Sequence, residues 1–175
     1  MTIHSSEMLN FIFGRRSIRT YTAEKVSDEV VQKLLEAAMA APSAVAQDPW
    51  RFVVVRNREL RLKITAVLPN GQMLGSAALG IVVCGDMNAA HDHQLSYLLQ
   101  DCSAAIENLL LCAHVLGLGA CWLGVHPREQ RVMRVQQILG LEASVIPVAC
   151  IALWHPAEIK ESRTRYNPAY VRIEN

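Results

Sequence analysis

The chain has 175 residues, of which 51% are apolar, and a formal net charge of +1. This length suits one domain with a sizeable core, and the composition argues against a disordered chain. The near-zero charge argues against a general affinity for nucleic acid and against attachment to anionic membranes. We therefore expect a single domain over residues 1–175, in which clusters of charge act locally.

The first part of the sequence predicts two helices separated by a basic stretch. The first helix is capped by Ser5 or Ser6 and ends at Gly14. Residues 14–21 then bring together three arginines and the two aliphatic hydroxyl groups of Ser17 and Thr20, a donor set that suits phosphate, although basic clusters also occur as solvated turns. The second helix has Ser27 as its N-cap and an apolar stripe at helical spacing.

The middle of the sequence predicts a loop, two strands and the helices between them. Residues 42–50 are bounded by prolines and should form an irregular loop whose backbone is free to contact a ligand. Residues 51–56 favour a strand, and residues 79–85, which are apolar on both faces, favour a central strand. Between these strands we expect a helix capped by Asn57, a turn and a short helix over residues 72–78.

The remaining elements are a long helix, two strands and one further helix. Residues 95–116 predict the longest helix, and because it is apolar around most of its circumference we take it as the sign of an obligate dimer. A strand over 120–125 precedes a helix over 128–139 with Pro127 in its first turn, and residues 145–154 predict the last strand. About four strands surrounded by helices indicate an α+β fold.

The polar tail over residues 156–175 contains three arginines and no clear helical period. We expect it to reach over a neighbouring subunit. The most hydrophobic region, residues 104–125, approaches the length of a membrane span. Glu107, Asn108 and His114 interrupt this region, so a membrane span is not predicted. On its apolar helix, His114 is interpreted as a hydrogen-bonded core histidine.

Cysteine usage and the N-terminus indicate the compartment. The five cysteines are odd in number, form no Cys-x-x-Cys pair and mostly lie in apolar segments, so we expect them to be reduced and buried. The N-terminus lacks the basic region and the apolar block of a signal peptide. A cytoplasmic location is therefore the default expectation.

Other chemical motifs give weak or negative signals. Residues 117–122 share two glycines with a dinucleotide fingerprint but lack the third and follow a predicted helix, so a Rossmann site is not predicted. The sequence has no Gly-x-x-x-x-Gly-Lys phosphate loop and no Gly-x-Ser-x-Gly elbow for a serine nucleophile. Residues 91–93, His-Asp-His, lack further ligands, so no metal site is predicted. Trp50 and Trp122 either wall a flat ring or simply fill the core.

Five segments, in this order along the chain, together resemble the FMN-dependent nitroreductase family. They are the Arg-Arg-Ser-Ile-Arg-x-Tyr stretch at 15–21, the Ala-Pro-Ser loop at 41–43 closed by Pro-Trp-Arg-Phe at 49–52, the helix segment 101–108, the segment 116–124 and the Arg-Thr-Arg-Tyr tail at 163–166. Each segment is weak alone, but together they cover nearly the whole chain.

The resemblance implies a three-layer α+β fold with a central mixed or antiparallel sheet of four to five strands. It also implies an intertwined homodimer that holds two FMN molecules at the subunit interface. Residues 15–17 and a tail arginine would contact the FMN phosphate and ribityl chain, and residues 42–44 of the other subunit would line the ring. Residues 122–124 would approach the N5 side of the ring with backbone groups. The implied cofactor-binding residues are Arg15, Arg16, Ser17, Arg19, Pro42, Ser43, Ala44, Gln47, Gln72, Trp122, Leu123, Gly124, Arg163 and Arg165.

The sequence departs from the family pattern at two places. Ala46 and Asp48 stand where many relatives have an asparagine and a glutamine, which leaves Gln47 as the nearest substitute. A lysine that often follows the third helix has no clear match, and Gln72 is the closest candidate. FMN binding is still expected.

The implied activity is a ping-pong oxidoreduction. NADH or NADPH would deliver hydride to N5 of FMN, and a nitroaromatic, a quinone or a related acceptor would take the electrons. No side chain is expected to act as a catalytic acid or base, and Arg19 beside the pyrimidine edge would act as an electrostatic stabiliser. Two alternatives stay open: a specialised flavin enzyme of the same fold, such as a reductive dehalogenase, and a flavin-binding or sensing protein without turnover.

Overall fold

The computed structural model describes residues 5–22 and 24–174, and its elements follow the predicted order. The helices are α1 (Ser5–Gly14), α2 (Asp28–Met39), α3 (Arg58–Val67), α4 (Gln72–Ser76), α5 (Leu95–Val115) and α6 (Glu129–Leu139). The strands are β1 (Trp50–Val55), β2 (Leu79–Asp86), β3 (Gly119–Gly124) and β4 (Val145–Trp154).

The four strands form one antiparallel sheet in the order β1-β2-β4-β3. The central strands β2 and β4 are buried along most of their length, as expected for strands covered on both faces. A bulge in β4 lies opposite Val83 and Cys84 of β2, and the carbonyl of Val148 there accepts from the N–H groups of Val125 and His126, each at 3.1 Å. The sheet confirms the α+β prediction and its four strands.

Helices cover both faces of the sheet and create two cores. On one face α2 and α5 pack through residues that include Leu34, Ile106 and Leu109. On the other face α3, α4 and α6 contribute residues such as Ile64 and Leu74. The predicted three-layer arrangement is therefore confirmed.

Local sequence signals explain most of the element boundaries. The Ser27 hydroxyl accepts from the N–H of Val30 at 3.3 Å, and the Asn57 side chain accepts from the N–H of Leu60 at 3.0 Å, so both predicted N-caps are confirmed. Gly140 ends α6 in the left-handed region at φ +62°. The prediction for Pro127 is wrong: α6 begins at Glu129 after an extended N-cap residue, so this proline lies in the preceding turn.

The cysteines agree largely with the sequence prediction. All five are free, and four are buried, whereas Cys112 is partly exposed. Burial raises the pKa of the thiols of Cys84, Cys102 and Cys150 to about 12, which makes them unreactive as nucleophiles.

Within the described residues, no helix combines the length and the apolar character needed to cross a bilayer.

Candidate functional site

The basic stretch after α1 lies along the outer edge of β3. The N–H of Ile18 donates to the carbonyl of Ala120 at 3.0 Å, which extends the sheet edge by a short parallel bridge. Tyr21 fixes the end of the stretch, because its hydroxyl donates to the Ile18 carbonyl at 2.7 Å and its ring stacks on Trp154. The arginines of this stretch are therefore held on an ordered backbone.

The beginning of the tail runs back along the same stretch. The N–H of Ala157 donates to the Thr20 carbonyl at 2.9 Å, and the N–H of Arg163 donates to the Phe13 carbonyl at 3.2 Å. These two bonds bring the tail arginines beside those of the basic stretch. The contact of the tail with a second subunit stays a prediction, because the structure contains one chain.

Glu158 is the carboxylate that fastens the tail to the stretch. Its Oε1 accepts from the N–H of Arg19 at 2.5 Å and of Thr20 at 3.2 Å, and Lys160 pairs with it at 3.2 Å. Lys160 also donates to the Ser17 carbonyl at 2.8 Å. The N–H of Arg19, followed by Lys160, holds the pKa of Glu158 below its usual value.

Glu158→Gln should lower the free energy of unfolding by up to about 1 kcal/mol at neutral pH, because this partly exposed carboxylate is screened by solvent. Since its pKa is lowered in the folded state, the stabilisation is present above the usual carboxyl pKa of 4.5 and is lost as the pH falls through the folded pKa. Urea unfolding of both proteins across this range measures the difference. Glu161→Gln, which removes a charge from the same tail, is the matched control, and a difference that grows at low pH would contradict the assignment.

Six cationic side chains converge on one cavity of about 360 Å³, the arginine cavity. It is lined by Ile12, Arg15, Arg16, Ser17, Arg19, Lys160, Arg163 and Arg165. No carboxylate lines it among the described residues, although Arg15 pairs with Glu107 at 3.0 Å outside it. The positive charges of Arg165 and Arg16 lower the pKa of Arg163, so like charges act on this guanidinium at the cavity. Such a set of forked donors matches the oxygens of a phosphate group.

A second cavity of about 480 Å³, the β3 slot, adjoins the first through Arg19, which lines both. It is lined by Arg19, Leu68, Asn70, Gly71, Cys121, Trp122, Leu123, Gly124 and Arg131. Burial raises the pKa of the Cys121 thiol, and the nearby positive charge of Arg19 lowers it in part. Arg131 donates to the Gly124 carbonyl at 3.3 Å and so connects α6 to the slot. The two cavities therefore share Arg19, and the arginine cavity, with six cationic side chains against two in the β3 slot, is the more positive of the two.

The structure brings together nine of the fourteen cofactor-binding residues proposed from the sequence and leaves the other five apart. Residues 15–17 and both tail arginines line the arginine cavity, residues 122–124 line the β3 slot and Arg19 lines both. Residues 42–44 and Gln47 line neither cavity. Gln72 lines a separate cavity beside Trp154, and its neighbour Asn70 is the residue that reaches the slot.

Sequence analysis missed Asn70, Arg131 and Lys160. For Asn70 a signal existed, because the Pro-Asn-Gly turn presents a polar side chain beside a loop. For Arg131 none existed, since its place depends on how α6 packs against α3. Of the two tryptophans, Trp50 is buried in the core, whereas Trp122 is 37% exposed at the slot. His114 is half-buried, with its Nε2 against Gly14 at the end of α1.

The loop over residues 42–50 is ordered by its own contacts on a different part of α5. Ser43 donates to Asp48 at 2.5 Å, and the N–H of Ala44 donates to Asp101 at 2.9 Å. Val45, Ala46 and Asp48 all have positive φ, which is uncommon for residues other than glycine. Within the described residues, the second carboxylate oxygen of the buried Asp101 has no hydrogen-bond partner.

The fold and the two cavities together define a class of protein. It is an α+β protein in which a cationic cavity suited to phosphate lies beside an open slot at the edge of the sheet. The nitroreductase family model matches residues 12–69 and 65–153, and the chain belongs to this family. A relative from Archaeoglobus fulgidus, provisionally named NADH dehydrogenase/NAD(P)H nitroreductase, is 42% identical over 171 residues, which cover 96% of this chain and 98% of the relative.

Solved structures agree with this assignment. A protein of Parabacteroides distasonis, with the same provisional name as the Archaeoglobus relative, superposes with a TM-score of 0.90 at 34% identity and covers 97% of this chain and 98% of its own. A provisionally named nitroreductase of Desulfovibrio desulfuricans, solved in complex with FMN, superposes with a TM-score of 0.84 at 34% identity, covering 99% of both chains.

Proposed function

We propose that the protein is an FMN-dependent oxidoreductase that uses NADH or NADPH to reduce acceptors such as nitroaromatics and quinones. The observation that carries the proposal is the arginine cavity joined through Arg19 to the β3 slot. FMN has the same two parts, a phosphate on a ribityl chain and a flat ring. The names of the relatives, which include NAD(P)H nitroreductase and a complex with FMN, support the cofactor and the donor.

The residues of the arginine cavity fit the phosphate end of FMN. Arg16, Arg163 and Arg165 repel one another in the absence of an anion, and a phosphate would relieve that repulsion. Ser17 adds a hydroxyl donor at the same cavity. Residues 122–124 and Asn70 would then face the ring. When bound, FMN supplies the hydride acceptor and the electron donor for the second substrate.

The protein's own part in the reaction is orientation and charge. Arg19 places a permanent positive charge where the slot meets the arginine cavity, where it would stabilise negative charge that develops in the slot during hydride transfer. The exposed indole of Trp122 and the backbone of residues 123–124 keep the slot open to a flat substrate. A ping-pong sequence follows if the donor and the acceptor use the same opening.

A homodimer would complete the site. The N–H of Ala44 donates to Asp101 of α5, whereas Arg15 and Arg16 of the arginine cavity line a further small cavity together with His114 of the same helix. Asp101 and His114 are roughly 20 Å apart along α5 at 1.5 Å per residue. Residues 42–47 of one chain would therefore serve the cavities of the other. Leu9, Ile12 and Phe13 of α1 are 49%, 51% and 39% exposed, an apolar surface that a second subunit would cover.

The tail after the arginines also fits a dimer. Tyr166, Tyr170 and Ile173 are 72%, 85% and 77% exposed, which is unusual for large apolar side chains in an isolated chain. We propose that residues 164–174 lie on the partner subunit. Sedimentation analysis should give a dimer for the wild type, and Leu9→Glu, which changes an exposed residue of α1 that lines neither cavity, should produce monomers that have lost FMN. A stable monomer that retains FMN would contradict the shared site.

The first test of the activity is an absorption spectrum of the freshly purified protein, followed by anaerobic addition of NADH and then NADPH. A flavin spectrum that bleaches on addition would support both the cofactor and the donor. A flavin spectrum that does not bleach would favour a binding or sensing protein without turnover. A colourless protein that also fails to take up FMN would contradict the site assignment.

Arg19→Ala should lower the rate of FMN reduction by about tenfold while weakening FMN binding much less, because its charge lies at the slot and the other arginines hold the phosphate end. Stopped-flow reduction and fluorescence titration of FMN measure the two quantities. Equal losses in both would show that Arg19 serves only to bind the cofactor.

A further inference from the structure

A broad basic groove lies between α3 and α6 and opens beside the β3 slot. Its volume is about 1320 Å³. It is lined by Lys63, Ala66, Val67, Pro69, Arg128, Gln130, Arg131, Met133, Arg134, Gln137 and Ile138. Arg131 lines both this groove and the slot, so the two depressions are neighbours on either side of this residue.

The charge of the groove is of one sign. Lys63, Arg128, Arg131 and Arg134 line it, and no acidic side chain does so among the described residues. Each helix has one acidic residue, Glu59 on α3 and Glu129 on α6, and neither lines the groove. These four cations make no ion pair in the part of the chain that the structure describes, whereas other surface cations such as Lys33 and Arg51 do. The groove is therefore a positive field without an internal counter-charge.

The groove lies where the phosphates and the adenosine of a dinucleotide bound at the slot would extend. A nicotinamide dinucleotide that presents its ring to the slot must place its pyrophosphate and its adenosine outside the slot. The groove starts at the rim of the slot, and Ala66, Val67 and Met133 give it apolar surface beside the cations. Apolar surface suits the adenine, and the forked donors of arginine suit phosphate oxygens.

We propose that the α3–α6 groove binds the phosphate groups of the electron donor and favours NADPH over NADH. The 2′-phosphate of NADPH adds about −1.5 to −2 of charge at neutral pH, which four unpaired cations attract more strongly than the pyrophosphate alone. This inference rests on the proposed function, because it assumes that a nicotinamide dinucleotide reduces FMN in the slot.

The test removes charge from the groove without touching the slot. Lys63→Gln/Arg134→Gln neutralises two groove cations and leaves Arg131 in place. Lys25→Gln/Arg58→Gln is the matched control, because it removes the same charge from a different cavity. Turnover is measured with NADPH, with NADH and with 1-benzyl-1,4-dihydronicotinamide, which has the reactive ring but no phosphate.

The groove variant should lower kcat/KM for NADPH by about tenfold, lower that for NADH less, and leave the phosphate-free donor unchanged. The control pair should change none of the three. Equal losses for all three donors, or no preference for NADPH in the wild type, would overturn the inference. If no donor reduces the protein, the proposed function fails instead.

A binding measurement separates the groove from turnover. Calorimetric titration of the FMN-saturated wild type, in which the arginine cavity would be occupied, should show binding of 2′,5′-ADP, weaker binding of 5′-ADP and none of adenosine. Lys63→Gln/Arg134→Gln should weaken binding of 2′,5′-ADP by about tenfold. Undiminished binding of 2′,5′-ADP in this variant, or no binding in the wild type, would overturn the inference whatever the activity.

Discussion

Replacing both Arg163 and Arg165 with glutamine should weaken FMN binding by about a hundredfold, because two charge-assisted contacts to one phosphate would be lost. The same change should leave the thermal stability of the apoprotein unchanged or slightly higher. Arg16, Arg163 and Arg165 lie close enough for their charges to lower the pKa of Arg163, so the apoprotein gains relief from repulsion when two of them are removed. Fluorescence titration of FMN and thermal unfolding of the apoprotein measure the two effects.

The opposite signs of the two effects distinguish a ligand site from a structural cluster. Arg172→Gln removes a tail arginine that does not line the arginine cavity and should change neither quantity. The two single variants then show which tail arginine meets the phosphate, since that one should account for most of the loss. A large loss of apoprotein stability in the double variant, with FMN binding intact, would contradict the assignment.

Local sequence patterns predicted the elements because their determinants are local. The caps at Ser27 and Asn57, the stop at Gly140 and the apolar runs of β2 and β4 each act within a few residues. Helix and strand boundaries therefore follow from the residues themselves. Most boundaries differ from the prediction by at most two residues, but Pro127 was wrongly placed in the first turn of α6 and lies in a turn beside the bulge of β4, where the N–H groups of Val125 and His126 donate to the Val148 carbonyl.

The site could be predicted only in part, because its halves are joined by packing. The resemblance named Arg19 and residues 122–124 together, but nothing near either segment shows that β3 and the basic stretch share an edge. Arg131 was missed because α6 reaches the slot through its packing on α3, which no local pattern encodes. Gln72 was named only as the closest match to a lysine of the family pattern, and sequence position alone does not say that Asn70 is the residue whose side of the turn meets the slot.

The role of the residues proposed to come from a second subunit also depends on packing that local sequence does not encode. Residues 42–47 have unusual backbone angles and a polar network of their own, yet in one chain they line neither cavity. Non-glycine residues with positive φ cost free energy and persist where surrounding structure or function maintains them. The strained loop is therefore consistent with a role that only a second subunit would reveal.

Gly85→Ala should lower the free energy of unfolding by about 3 kcal/mol, because strand β2 has no space for a side chain at this position. An added Cβ would lie 2.3 Å from Cγ of Leu98 and 2.4 Å from its Cδ2. Leu98 is fully buried on α5, so the long helix packs directly on the backbone of the sheet here. Either the helix moves away from the sheet or Leu98 leaves its rotamer, and both disturb the core. Urea unfolding measures the loss.

Two comparisons show whether the clash with Leu98 causes the loss of stability in Gly85→Ala. Gly75→Ala on α4 places a Cβ 3.1 Å from the end of the Leu62 side chain, which is 41% exposed and free to move, so this change should be near neutral or slightly stabilising. Leu98→Ala alone should cost about 3 kcal/mol through the cavity that it leaves. In the double variant the new methyl group occupies part of that cavity, so the combined loss should be clearly smaller than the sum of the two single losses. Additive losses would mean that Gly85 is required for the backbone conformation of β2 rather than for the approach of α5.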